Sequence, residues 1–249
     1  GLVVGNRDVR QIMSWAPGQG GYEFPTGTGI EMQAGDMFIT QIHYHYEPEW
    51  DSLAPDESRL VAAFEDDEGD ALTPIELTLY LGPAEVPCAP DESGPLCDRA
   101  AALVELASSG AGALVGQGLN NRCGLDPSTV ELTADGKSHT TCDIAATPGE
   151  IISVFGHMHE LGDSFRMTLN PDTADEVVLL DIPTWSFEWQ LNYDLVDTVV
   201  IEPGDTVRVE CGYDPSRRAE DLEPRWVLWA DGTEDEMCYS QIVTRPATA

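Results

Sequence analysis

Lysine is almost missing from this chain: Lys137 is the only one, and the 249 residues carry 12 basic side chains against 45 acidic ones. At a formal net charge of −33 no basic patch exists to neutralise phosphates, which excludes nucleic acid as a partner. The same surface repels anionic membranes, gathers metal cations and basic ligands, and suits a salty external medium in which screening weakens self-repulsion. Plain solubility is the competing explanation of the charge. Also missing is any apolar run of about 18 residues, so no membrane-spanning helix is expected. No secretory leader is visible, and because the chain starts at Gly1 rather than Met, a cleaved product with an upstream part outside it is expected.

The six cysteines, at 88, 97, 123, 142, 211 and 238, include no CxxC pair, which removes the usual spacing of a zinc knuckle or a redox dithiol. An even number scattered through such a chain favours structural disulfides formed in an oxidising compartment: extracellular, periplasmic or at the cell surface. Six reduced, buried thiols in a cytosolic protein is the alternative. Several pairings are compatible with the spacing alone.

Hydrophobic residues make up 42% of the chain, enough for one substantial core or two smaller ones. Proline (17) and glycine (23) are spread throughout, a texture of many strands joined by turns. The segment 1–72 opens with turns around Pro17, Gly18, Pro25 and Gly27. It then enters 36–48, whose dense aromatic and β-branched residues predict a strand broken at Pro48. A second apolar run, 59–64, leads into the acidic 65–70, which lacks calcium-loop spacing and is read as a solvated linker. In 73–249, strands are predicted at 75–82, 150–159, 164–170, 175–182, 197–201, 205–213 and 236–243. The run 99–106 fits either a short helix or an irregular apolar stretch, and Gly110, Gly112, Gly116 and Gly118 predict a loop after it. The expectation is an all-β fold, an antiparallel, jelly-roll-like β-sandwich at 73–249 preceded by part of another β domain at 1–72.

Four of the five histidines fall in two HxH pairs, His43/His45 and His157/His159. On a strand, residues two apart share a face, so each pair offers neighbouring imidazole donors. A third donor has to come from elsewhere, and Met237, 78 positions beyond His159 and flanked by acidic residues, is the candidate. Core packing is the competing explanation of Met237, since one strand can bury its methionine while exposing Glu236. Thioether and imidazole donors together favour copper, Cu(I) above all, over calcium or magnesium. The fifth histidine, His139, lies in a polar stretch read as a turn and is taken as a surface residue.

FGHMHELGDSFRMTL at 155–169, followed by DGTEDEMC at 231–238, resembles the copper type II, ascorbate-dependent monooxygenases, the family of peptidylglycine α-hydroxylating and dopamine β-monooxygenases. There an HxH pair and the methionine of a DEMC motif bind the copper that activates dioxygen. The resemblance therefore implies catalytic and metal-binding roles for His157, His159 and Met237. SWAPG at 14–18, FPTGTGI at 24–30 and FITQIHYHY at 38–46 are similar to the end of the family's first domain, where a Q-x-HY element gives one histidine to a second copper. His43 is the match, with Gln41 and Tyr44 in register, and His45 is a further candidate ligand. The resemblance also implies a Cys211–Cys238 bridge. The family partner of Cys142 would lie beyond Ala249, so Cys142 is expected to pair with Cys123, and Cys88 with Cys97.

Departures from the family pattern qualify what the resemblance implies. The first copper needs two further histidines upstream, and none precedes His43. An upstream polypeptide or a separate chain would have to complete that site, unless it is absent. Peptide-hydroxylating members carry an arginine two residues before the first histidine and an asparagine two after the methionine. Phe155 and Tyr239 stand here, pointing to a small apolar or aromatic substrate instead of a peptide carboxylate. The 83–125 stretch reads as an insertion. Glu160, Asp163, Asp235 and Glu236 are read as supporting or solvated groups. The expected function is copper-dependent hydroxylation of a C–H bond with O2 and ascorbate or another reductant. A non-catalytic extracellular copper-binding module, or a structural protein retaining the fold, are the alternatives.

Overall fold

The computed structural model describes residues 9–44, 57–65, 72–110 and 112–247. In chain order, β1 (Thr28–Gly29) and β2 (Thr73–Pro74) form a short parallel pair, followed by β3 (Glu76–Gly82) and β4 (Glu85–Val86). Helices α1 (Arg99–Ser109) and α2 (Gly112–Cys123) come next, then β5 (Ser138–Ala145), β6 (Gly149–His157), β7 (Gly162–Leu169) and β8 (Val177–Ile182). The remaining strands are β9 (Asn192–Asp194), β10 (Val200–Ile201), β11 (Thr206–Tyr213), β12 (Val227–Leu228) and β13 (Cys238–Arg245).

Two antiparallel sheets carry the fold. One runs β10-β6-β13-β3 with β9 also on β6, and the other runs β5-β11-β7-β8. Period-two alternation gives each sheet an apolar face. Val154 and Ile242 of the first, with Met158 just beyond β6, meet Phe165, Met167, Val207 and Val209 of the second in one shared core. Three disulfides brace it: Cys211–Cys238 ties β11 to β13, Cys123–Cys142 ties α2 to β5, and Cys88–Cys97 closes a local loop, the pairing expected. They suit an oxidising compartment. Among the described residues no helix is long and apolar enough to cross a membrane.

The all-β expectation is wrong, because α1 and α2 are regular helices of 11 and 12 residues inside the 83–125 stretch. Asp98 caps α1, its carboxylate accepting from the Ala101 amide at 2.9 Å, and the alanine-rich RAAALVEL that follows is a strong helix former. The glycines predicted as a loop lie largely within α2, where they permit close approach instead of a turn. A Cβ on Gly112 would meet the Cβ of Ala230 at 2.6 Å, and one on Gly116 would meet that of Trp229 at 3.2 Å.

The described part of the 36–48 run, residues 36–44, is irregular and exposed, as is 59–64. A strand needs a neighbour's backbone groups, and neither run pairs with another segment among the described residues. His45, Pro48 and most of the acidic 65–70 lie outside the described residues. His139, by contrast, is not in a turn: it is exposed on β5, whose buried positions are the small Ser138, Thr140 and Cys142. That strand alternates as a half-buried strand should, yet with hydroxyls where apolar residues normally mark the period.

Candidate metal centre

The antiparallel register of β6 and β13 sets Tyr239 opposite His157 and Gln241 opposite Phe155. Residues directly opposite share a face, so Phe155, His157, Tyr239 and Gln241 line one side of the sheet. The other side holds Gly156 against Phe165 and Cys238 bonded to Cys211, and that side is the sandwich interior. The histidine pair therefore looks outward. Its face is roofed by the segment 11–17: Gln11 Nε2 reaches Tyr239 Oη at 2.6 Å, Ser14 Oγ donates to Gln241 Oε1 at 3.0 Å, and Gln190 N donates to Pro17 O at 2.9 Å.

β6 ends at His157, and His159 lies two residues into the turn toward β7. Their rings remain together, with centroids 5.0 Å apart. His157 is half-buried and His159 only 4% exposed. Beyond Tyr239 and His157, the last paired residues at this end of the β6/β13 ladder, the two chains continue to Met237 and His159. One oxygen confirms the proximity of the two backbones: Glu236 Oε2 accepts from the His159 amide at 3.0 Å and from the Met237 amide at 3.1 Å.

Each imidazole is oriented through its Nδ1. Gln190, fully buried, donates through Nε2 to Phe187 O at 2.6 Å, which turns its Oε1 toward His157 Nδ1, also 2.6 Å away. His159 Nδ1 meets the Asp235 carbonyl at 3.0 Å. Both partners are acceptors, so both Nδ1 atoms carry the proton and Nε2 is the unprotonated nitrogen of each ring, as in histidines oriented for metal binding by a partner on the other nitrogen. Burial pushes the His157 pKa down to about 4, against the opposing effect of Gln190. Burial and then the neighbouring His157 push that of His159 down to about 3. Both rings are neutral at physiological pH, the form that can ligate a metal. Gln190→Ala is expected to weaken metal affinity about 10–100-fold, as loss of such supporting partners does. Competition titration would check this, and an unchanged affinity would show that Gln190 does not set the tautomer.

Among the described residues no group of three or more His, Cys, Asp and Glu side chains is placed to hold a metal ion. A metal at the pair would have to draw its next donor from another chemistry, and Met237, whose amide shares a Glu236 oxygen with that of His159, carries a thioether. Glu236, read from the sequence as a supporting or solvated group, is not solvated: its side chain is 0% exposed. It precedes β13 and bridges to Trp229, so strand alternation does not govern it. Burial raises its pKa to about 8 despite the backbone N–H groups of His159, Met237, Leu161 and Gly162, which oppose the rise. Of the other acids named from sequence, Asp163 is held by Lys137 at 2.6 Å and Arg217 at 3.0 Å, and Asp235 serves through its carbonyl.

Around the pair stands an aromatic wall. Phe155 stacks on His157 at 6.3 Å, Tyr239 meets the same ring edge-on at 5.8 Å, and Phe187 approaches His159 at 6.5 Å. Phe187 and Gln190 lie on the β8–β9 connection and carry no motif, so only the fold reveals them. His43 is exposed, in irregular backbone, with its Nε2 2.6 Å from Gln41 Nε2. A positive charge on it would lower the pKa of both His157 and His159. His45 lies outside the described residues.

No curated protein matches the chain. Among solved structures, the crystal structure of Podospora anserina GH26-CBM35 beta-(1,4)-mannanase aligns over 49% of this chain at 13% identity and a TM-score of 0.21, a likeness too slight to carry any argument. That alignment spans 25% of the mannanase chain. Residues 113–248, more than half of the chain and the part that holds His157, His159 and Met237, match the family described as copper type II ascorbate-dependent monooxygenase, C-terminal domain. The chain belongs to the copper type II ascorbate-dependent monooxygenases.

Proposed function

We propose that this chain is a copper-dependent monooxygenase or its catalytic part, hydroxylating a C–H bond of a small apolar or aromatic substrate with O2 and a reductant such as ascorbate. The observation that carries the reading is the outward-facing pair of neutral imidazoles, both proton-bearing at Nδ1, with Met237 beside His159. His157 and His159 would hold copper through Nε2, and the Met237 thioether would favour its Cu(I) state. Bound copper supplies the one-electron chemistry with dioxygen that amino-acid side chains lack.

The protein contributes orientation, exclusion of water and substrate contact. Gln190 and the Asp235 carbonyl fix the ring planes, and the 11–17 segment and buried Glu236 keep the surroundings dry. Phe155, Tyr239 and Phe187 offer aromatic faces to a substrate, and no guanidinium stands at position 155 to take a carboxylate. In this reading 1–72 is the C-terminal part of an electron-delivering domain, with His43 contributing to a second copper that an upstream polypeptide or separate chain completes. Residues 73–249 form the oxygen-activating domain.

The test is oxygen uptake by the copper-loaded chain with ascorbate across a panel of small aromatic and aliphatic substrates, paired with X-ray absorption at the copper edge. Substrate-dependent uptake and a sulfur scatterer on reduced copper are expected. One bound copper without turnover would establish a binding module, and failure to bind copper would leave a structural role for the fold.

A further inference from the structure

Glu236 is a full-length carboxylate with no solvent exposure, set between two residues of the proposed copper site. Leaving such a polar group in an interior is costly unless its bonds accomplish something, because burial strips its hydration. Its main chain is pinned to the preceding segment: its amide donates to Leu228 O at 3.1 Å, and its carbonyl accepts from the Ala230 amide at 3.1 Å. Its side chain reaches the opposite way, where one oxygen, Oε2, takes the amides of His159 at 3.0 Å and Met237 at 3.1 Å. The other oxygen, Oε1, is buried without a hydrogen-bond partner among the described residues. His159 belongs to the β6–β7 turn and Met237 to the entry of β13, so a single atom spans the two elements.

We infer that Glu236 is a positioning residue, a carboxylate clamp that fixes the spacing between His159 and Met237 and so holds the thioether within reach of the metal the histidines bind. The inference rests on the copper reading above. Without the clamp, the His159 and Met237 amides lose the acceptor they share, and Met237 is tied only to its own strand, through the Glu236 main chain on one side and the Cys211–Cys238 bridge on the other, with no bond to the His159 turn through that acceptor. The histidines keep their own Nδ1 partners, Gln190 Oε1 and the Asp235 carbonyl, so the loss falls on the sulfur donor. A role confined to folding would lower stability and leave the copper ligand set of the folded protein unchanged.

The deciding measurements use the full chain with Cu(I): affinity by chelator competition and the copper–sulfur contribution to X-ray absorption, with circular dichroism to confirm the fold. Glu236→Gln keeps an oxygen acceptor for both amides, and it is expected to retain the sulfur signal with an affinity within about threefold of the parent. Glu236→Leu removes the acceptor and is expected to lose the sulfur signal and about 10–100-fold in Cu(I) affinity, with Cu(II) bound through the histidines nearly as before. Should the leucine variant not fold, Glu236→Asp decides, because a carboxylate shortened by one methylene cannot span both amides, and the same loss is expected. A folded aspartate or leucine variant with the parent's sulfur signal and affinity overturns the inference while leaving the copper site standing. A parent protein that binds Cu(I) with no sulfur scatterer overturns the proposed ligand set itself, and the clamp with it.

Discussion

His159→Ala is expected to lower copper affinity by more than about 100-fold, beyond what removal of a supporting partner costs, and to abolish any turnover that depends on the metal. His159 is the more buried of the two imidazoles and the one whose backbone and ring are both held, the amide by Glu236 and Nδ1 by the Asp235 carbonyl. Truncation leaves His157 as a single nitrogen donor beside one thioether, too few for a stable divalent site. The loss should be of binding and not of fold. The turn keeps its Glu236–amide bond, and of the rings against His159, that of His157 at 5.0 Å and that of Phe187 at 6.5 Å, both are themselves half-buried. Titration with copper and thermal melting of the copper-free variant separate the two effects. An alanine variant that bound one equivalent of copper within about threefold of the parent affinity would remove His159 from the site.

That histidine was visible in the sequence because HxH is a local signal, and Met237 because a methionine among acids breaks the local composition. What supports them is not local. Gln190 comes from a connection with no motif, and Glu236 reads as an exposed partner of a buried methionine until the bridge to Trp229 removes it from the strand's alternation. Sheet strands were legible where β-branched and apolar residues alternate, as in β11, and illegible in β5, where hydroxyls fill the inward positions. The first helix was legible as one of two readings of 99–106, whereas the second was hidden by its glycines, which sequence reads as chain breakers and the fold uses to seat α2 against Ala230 and Trp229. The opposite error fell on 36–44, where strand-forming residues lie in irregular backbone: propensity describes a residue's fitness for a sheet but cannot supply the neighbouring strand.

The helical pair also has a structural cost that can be measured. Glu85 on β4, almost fully buried, accepts from Arg99 of α1 at 2.7 and 2.5 Å, from Asn120 of α2 at 2.6 Å and from the Trp226 indole at 2.8 Å. Its carboxylate thus joins four separate pieces of chain. Glu85→Ala would leave a mostly buried guanidinium, an amide and an indole N–H without their acceptor, at a cost of about 3–5 kcal/mol. For a chain of this size that lowers the thermal midpoint by about 6–20 °C. The consequence should extend to the metal centre, because Trp226 leads into β12, and residues 228–230 hold Glu236 through two backbone hydrogen bonds, which together make the Trp229–Glu236 bridge. Loosening the Glu85 junction loosens the base on which Glu236 and Met237 stand. The variant is therefore expected to lose Cu(I) affinity as well as stability, even at a temperature where circular dichroism shows it folded. A Glu85→Ala protein melting within about 2 °C of the parent would show that the carboxylate's four bonds add nothing net over their solvated state. One that melts early but binds Cu(I) unchanged would confine the junction to the helices and separate the 83–125 stretch from the chemistry of the site.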